Sequence, residues 1–313
     1  MKSLITGVAG FVGSHLAEKL LALDHQVIGV DKFLDNYPRP FKEGNLSQFA
    51  NHANFSFVGA DLLRAPLREL LHDVSYVFHL AGQPGVRSSW GEEFARYTEN
   101  NIRVTQMLLE AAKGLNLTKF VYASTSSVYG DTTDLPMRES GETRPVSPYG
   151  VSKLAAEHLC YLYFRAFGVP AVSLRFFTVY GPRQRPDMFF HIFMRALQHG
   201  QEVPLYDDGE QTRDFTFCSD IVDGLLGAAF YPGAGEVFNL GGGSETSLLQ
   251  AIDLIEKIAG RKAVLKRYDR QKGDVRHTSA SIAKAKAKLG YAPQVGLQEG
   301  LARQWAWIGS IAS

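Results

Sequence analysis

The chain has 313 residues, 45% hydrophobic and 21% charged, a balance that fits an ordinary folded protein and excludes disorder, collagen-like repeats and small disulfide-stapled scaffolds. Lys and Arg total 33 against 32 Asp and Glu, a net charge of +1, so no broad positive field exists to gather a polyanion and nucleic acid is not an expected partner. Residues 3–17 carry no Lys, Arg, Asp or Glu, yet Gly7, Gly10 and Gly13 interrupt them, and no run approaches the roughly 18 to 20 apolar residues of a membrane span. Cys160 and Cys218 stand far apart in no metal or redox spacing, which fits two reduced, buried thiols in a cytoplasmic protein.

In chain order, residues 2–6 form a short apolar run ended by Gly7, and Phe11, Val12, Leu16, Leu20 and Leu23 follow at helical spacing. That sequence predicts strand, glycine turn, helix. Residues 25–31, 54–59, 74–81 and 119–124 read as the next four strands, with helix-like stretches between them, so a parallel sheet covered on both faces is expected. Residues 97–112 form a long helical pattern. Ser147-Pro148 supplies an N-cap and a first-turn proline for another helix, which Gly168 and Pro170 close. After a strand at 170–177 the elements shorten, apart from a helix near 219–230. We therefore expect an α/β architecture: a doubly wound parallel-sheet domain over residues 1–180, and a smaller, interleaved α/β substrate-binding lobe over 181–313, with substrate between them.

The run Thr6-Gly7-Val8-Ala9-Gly10-Phe11-Val12-Gly13 spaces glycines three apart between a strand and a helix. Such a turn lets backbone N–H groups and the helix N-terminus approach a pyrophosphate closely. Asp31 follows 18 residues after Gly13, at the end of the second strand, where a carboxylate accepts hydrogen bonds from an adenosine ribose and repels a 2′-phosphate. The pair predicts a Rossmann dinucleotide site that takes NAD.

Tyr149 and Lys153 lie four residues apart and share one helix face. An ammonium beside a phenol lowers its pKa toward working pH, which would make Tyr149 an acid/base for a sugar hydroxyl. Ser124, Thr125, Ser126 and Ser127 sit at the carboxyl end of the fifth strand, where open parallel sheets bind their ligands. Nine histidines show no HxxxH-like pairing, so no metal site is expected.

On the motifs TGVAGFVGSHL, VDKF, HLAGQPGVRSSW, ASTSSVYG, SPYGVSK and RFFTVYGPRQRPDM, the chain resembles the extended short-chain dehydrogenase/reductase family. Within that family it is most similar to the NAD-dependent nucleotide-sugar 4-epimerases that act on UDP-glucuronic acid. The resemblance implies that Thr125 bonds the sugar O4, Tyr149 is the catalytic base, and Lys153 binds nicotinamide ribose and tunes the tyrosine. It implies a cofactor site made of Gly7, Gly10, Phe11, Val12, Gly13, Asp31 and Lys32, with Asp61 and Leu62 toward adenine. Leu80, Ala81, Asn101 and Tyr122 fall in segments that line the family's cofactor channel. Tyr206, Arg213 and Asn239 resemble contacts to nucleotide base, diphosphate and sugar. Relatives place an arginine two residues before Gly273-Asp274; here Gln271 stands there between Arg270 and Lys272, so either cation is a candidate for the diphosphate.

The resemblance further implies hydride transfer from C4, rotation of a 4-keto sugar and return of the hydride to its other face. Related dehydratases carry an Asp-Glu pair directly after the catalytic threonine; Ser126 and Ser127 occupy those positions here. Oxidising C4 of a glucuronic acid makes a β-keto acid that loses carbon dioxide when its carboxylate aligns with the ketone. Thr125, Ser126, Ser127 and Thr178 are expected to hold the carboxylate out of that alignment, with Arg185 and, more weakly, Arg87 supplying charge. The resemblance also implies a homodimer formed through the helices near 97–112 and 150–166. The competing readings are a UDP-glucose/galactose 4-epimerase, a UDP-glucuronate decarboxylase and, from another class, an NAD-sensing binding protein without chemistry.

Overall fold

Leu4 and Ile5 are neighbours in the first strand and both are fully buried, which requires cover on both faces of the sheet. The computed structural model describes residues 1–311 and supplies that cover. Ile5 packs into a core with Leu16 and Leu20 of the helix Phe11–Ala22, while Leu4 packs into another with Leu108 and Leu109 of the helix Val104–Ala112.

The strands are β1 (Lys2–Thr6), β2 (Gln26–Asp31), β3 (Phe55–Gly59), β4 (Tyr76–His79), β5 (Lys119–Thr125), β6 (Ala171–Phe176), β7 (Thr178–Tyr180), β8 (Glu202–Tyr206), β9 (Thr212–Phe217) and β10 (Glu236–Leu240). Seven of them form one parallel sheet in the order β10-β6-β5-β4-β1-β2-β3. The order reverses between β1 and β4, which opens a crevice at their carboxyl ends. This is the doubly wound Rossmann arrangement.

A cut at residue 180 does not separate two lobes. β10 comes from the second half of the chain yet pairs with β6, Asn239 beside Arg175, and the helix Cys218–Phe230 packs against β5 and the helix Phe11–Ala22. The rest of the second half builds a sheet of β7, β9 and β11 (Glu245–Ser247) and a pair of β8 with β12 (Val264–Tyr268). Val179, Phe190 and Phe215 share one apolar core with Ile5 and Leu16, so the two parts are fused rather than tethered.

The expected 97–112 helix is interrupted. Thr98–Arg103 is a π-turn between the helices Phe94–Tyr97 and Val104–Ala112. The wider turn lets Asn101 face inward, where its side chain bonds the backbone of Gln83 at 2.7 and 3.1 Å and Ser152 Oγ at 2.9 Å. The helix Pro148–Phe167 matches its sequence signals: the Ser147 hydroxyl accepts the Gly150 N–H at 3.1 Å, and Gly168 closes the helix at φ +70°.

Two buried histidines are expected to make the fold acid-sensitive. His79 bridges Thr6 Oγ1 at 2.7 Å and Thr105 Oγ1 at 2.9 Å, and His15 contacts the Pro182 carbonyl at 2.9 Å. Burial lowers their pKa values to about 3 and about 4, so both stay neutral in the fold while an unfolded histidine charges near pH 6.5. Between those limits the unfolded chain binds more protons, so stability is lost as pH falls, by about 1.4 kcal/mol per group for each pH unit. Urea unfolding followed from neutral pH to about pH 4 should show this slope, and His79→Asn should flatten it; an unchanged slope would exclude His79 as a source.

Candidate active site

The crevice at the sheet's carboxyl edge holds a cavity of about 450 Å³ that runs from Asp31 and Asp61, after β2 and β3, to Tyr149, on the helix packed against β5, with Arg185 also on its wall. Its floor is the turn after β1. Gly7 sits at φ +73°, and a Cβ there would lie 2.8 Å from the Ala81 nitrogen; a Cβ on Gly13 would lie 2.2 Å from the Gly7 oxygen. Only bare backbone packs this closely, so the glycines hold turn, helix and the β4 exit together. Gly10, Phe11, Val12, Leu62, Leu80 and Ala81 complete this wall.

Asp31 accepts the Ala9 N–H at 3.1 Å and the Phe33 N–H at 2.7 Å. Burial raises its carboxyl pKa above the usual range, opposed by those two bonds and by Lys42 and Lys32. Lys32 meets Asp61 at 3.3 Å. Sequence reasoning missed Lys42, Asn36, Tyr37 and Gln83. Lys42 is buried, donates to the Leu34 carbonyl and to Asn36 Oδ1, and lies over the Tyr37 ring, so it folds the segment after β2 against the cavity.

Asn101 and Tyr122 are not on the cavity wall themselves, while their chain neighbours Asn100 and Ala123 are. The Asn101 side chain stands behind the wall, spent on the Gln83 backbone and Ser152, and Gln83 faces the cavity in its place. Tyr122 is fully buried beneath Lys153, whose Nζ lies 4.4 Å from its ring centroid.

At the other end, Thr125 closes β5 and Ser126 and Ser127 begin the next turn. Ser127 N donates to Thr125 Oγ1 at 3.2 Å, and the two hydroxyls are 3.2 Å apart. Thr125, Ser126, Ser127, Thr178, Tyr149, Lys153 and Arg185 all line the cavity. Tyr97 meets the Tyr149 ring edge-on at 6.2 Å, and its hydroxyl ties down Pro84 and Gly85. Arg185 pairs with Asp187 through two bonds of 3.0 Å, whereas Arg183 turns away to His15 and Glu18.

The expected pull of Lys153 on the phenol is not what governs it. Loss of water raises the Tyr149 pKa above its ordinary value, against the opposing effects of the Thr125 hydrogen bond and then Arg185. Lys153 is itself lowered to about 8 by burial. Helical spacing brought the two residues to one face but carried no information about desolvation.

The residues expected to meet the nucleotide form a separate cluster outside the cavity wall. Arg87 stacks 4.1 Å from the Tyr206 ring centroid and bonds Asp274 at 2.7 Å. Arg270 reaches Asp131 at 3.0 Å, and Arg276, which sequence reasoning missed, joins Asp207 and Asp208. Arg213 donates to the carbonyls of Thr212, Val275 and Arg276. Lys272 is exposed. Val86 lines the cavity and directly precedes Arg87 in the chain. Asn239 is fully buried and bonded to Tyr129 and to the Met137 and Ser281 carbonyls. Among the described residues no helix is long and apolar enough to cross a membrane, and no group of three His, Cys, Asp or Glu stands ready for a metal ion.

Comparison with known proteins shows the family of the chain. The sequence model of the NAD dependent epimerase/dehydratase family matches residues 3–241. An uncharacterised UDP-glucose epimerase of Bacillus subtilis, YtcB, is 47% identical over 99% of both chains. The UDP-glucuronate 4-epimerase of Thermodesulfobacterium geofontis is 36% identical, covering 97% of this chain and 95% of its own. The structure of a UDP-glucuronic acid 4-epimerase from Bacillus cereus, solved with UDP-glucuronic acid and NAD, superposes with a TM-score of 0.97 at 43% identity over 99% of both chains. The chain therefore belongs to the NAD dependent epimerase/dehydratase family.

Proposed function

We propose that the protein is an NAD-dependent nucleotide-sugar 4-epimerase that converts UDP-glucuronic acid to UDP-galacturonic acid through a transient 4-keto intermediate. The observation that carries this reading is the convergence, in one cavity, of the glycine turn, the Thr125–Tyr149–Lys153 set and the Ser126, Ser127, Thr178 and Arg185 group.

The cavity fits a dinucleotide. The glycine turn bares backbone to it, Asp31 faces it with a carboxylate, and the buried Gln83 Oε1 has no hydrogen-bond partner, an acceptor left for a bound molecule. Gly7, Gly10, Phe11, Val12 and Gly13 would hold the pyrophosphate, Asp31 and Lys32 the adenosine ribose, and Asp61 and Leu62 the adenine. Leu80, Ala81 and Lys153 would hold the nicotinamide end. When bound, NAD supplies a hydride acceptor for C4 and a donor for its return.

This chain's residues do the rest. Thr125 orients O4, and Tyr149 takes the O4 proton and gives it back on the opposite face of the turned sugar. Thr125, Ser126, Ser127 and Thr178 bond the sugar carboxylate and hold it away from the ketone plane, while Arg185 balances its charge. Tyr206 would stack on the base, and Arg213, Arg270 and Lys272 would meet the diphosphate, with Arg87 beside them. Exposed Val151, Tyr161, Leu162 and Phe167 along the helix Pro148–Phe167 support a homodimer through that helix, and the two free thiols suit the cytoplasm.

The test is product analysis with labelled UDP-glucuronate. UDP-galacturonate supports this reading, UDP-pentose would make the protein a decarboxylase, and turnover of UDP-glucose alone would make it a neutral-sugar enzyme. The last is the second reading, and the pairing of Arg185 with Asp187, which already balances its charge, is what favours it.

A further inference from the structure

Beneath the catalytic set lies a charge pair that the reaction just described leaves unused. Glu157 stands one helical turn beyond Lys153 on the same face. Its carboxylate accepts Ser124 Oγ at 2.8 Å, Arg175 Nε at 3.1 Å and Arg175 Nη2 at 2.5 Å. Both side chains are only 5% exposed. The guanidinium also lies 4.6 Å from the Tyr129 ring centroid, and its Nη1 is buried without a partner. Burying two charges with a donor left over is costly, and a well-packed apolar pair of similar volume is often as stable or more so, so stability gives no reason for this arrangement.

Geometry does. The bonds join three elements: Ser124 immediately precedes Thr125 on β5, Arg175 lies on β6, and Glu157 lies on the helix that carries Tyr149 and Lys153. We propose that Glu157 and Arg175 are positioning residues for the epimerisation, locking the Tyr149–Lys153 helix to the strand end that carries Thr125 and giving Lys153 its anionic neighbour.

The groups around Lys153 support the electrostatic half. Burial lowers Lys153, and the two groups that oppose this are Cys160 and Glu157. Cys160 is itself pushed far up by burial and is neutral at working pH. His79 of β4 is neutral because burial lowers it, and burial raises Tyr122 of β5 and Tyr149 of the same helix, so their anions are scarce at neutral pH. Of these neighbours Glu157 is the charged one, with Arg175 of β6 facing it from the far side.

The inference rests on the 4-epimerase reading for its assay, and wild-type turnover of UDP-glucuronate checks that reading separately. The experiment compares the full-length wild type, Glu157→Gln and the double variant Glu157→Met/Arg175→Met by urea unfolding and by kcat and KM across pH. A further readout is an NMR titration of 15N-labelled lysine side chains, with the Lys153 signal identified by its loss in Lys153→Met. Glu157→Gln is expected to lower kcat by roughly ten- to a hundredfold with KM nearly unchanged, and to move the Lys153 titration down by about one pH unit. The double variant is expected to fold at least as stably as the wild type and to show the same loss of kcat. A double variant with wild-type kcat and pH profile, or a Lys153 titration unmoved by Glu157→Gln, would overturn the proposal. Should Glu157→Gln fail to fold, the double variant decides. Should the wild type prove inert toward UDP-glucuronate, the lysine titration of the variants decides.

Discussion

Tyr149→Phe is expected to lower kcat by roughly a thousandfold while the dinucleotide stays bound. The variant keeps the ring that packs edge-on against Tyr97 and removes only the oxygen that faces Thr125, so cavity shape and cofactor contacts should survive. What is lost is the proton acceptor at O4, and general acid–base groups of this kind contribute about a hundred- to ten-thousandfold. Desolvation holds the phenol above its ordinary pKa, so its ionised form is scarce at neutral pH and wild-type turnover should rise with pH across that range. The phenylalanine variant should lose this dependence. Steady-state kinetics across pH, with cofactor content measured on the same preparations, would check both, and near-normal turnover would remove Tyr149 from its role.

Periodicity and turn chemistry are properties of the local chain, and the parts of the site that depend on them were legible. Five parallel strands, the glycine turn, Asp31 at the end of β2 and the capped helix that starts at Ser147-Pro148 all follow from residues close together in sequence. The residues that were missed reach the site by other means. Lys42 arrives from a short helix after a chain reversal in which Phe33 takes φ +52°, and it is buried only because the Leu34 carbonyl and Asn36 receive its ammonium. Arg276 meets Asp207 and Asp208 across about seventy positions. Asn239 lies in a motif that points to the sugar, and β10 returns to the edge of the main sheet and carries it into a buried network with Tyr129. Spacing alone placed Tyr149 and Lys153 on one face, but their ionisation is set by removal from water, which no window of sequence reports.

Arg185 is the residue on which the choice of sugar should turn. Its guanidinium lines the same cavity as Lys153 and the Ser126, Ser127 and Thr178 hydroxyls, near enough to Tyr149 to act on its charge. Two parallel bonds to Asp187 fix its plane. A uronic carboxylate brought there leaves water, and a cation within hydrogen-bond reach offsets that loss, whereas a hexose with a neutral C6 alcohol has no charge to balance. Removing one partner of such a buried charged contact costs about 2–5 kcal/mol. Arg185→Leu should therefore lower kcat/KM for UDP-glucuronate by roughly a hundredfold or more and leave UDP-glucose almost unaffected. Asp187 would tolerate the change, because its side chain is 46% exposed and water replaces its partner. Arg185→Lys should recover only part of the loss, since an ammonium cannot make the forked contact. The measurement is kcat/KM for both nucleotide sugars in the three proteins, and an equal fall for each substrate would mean that Arg185 shapes the cavity without reading the carboxylate.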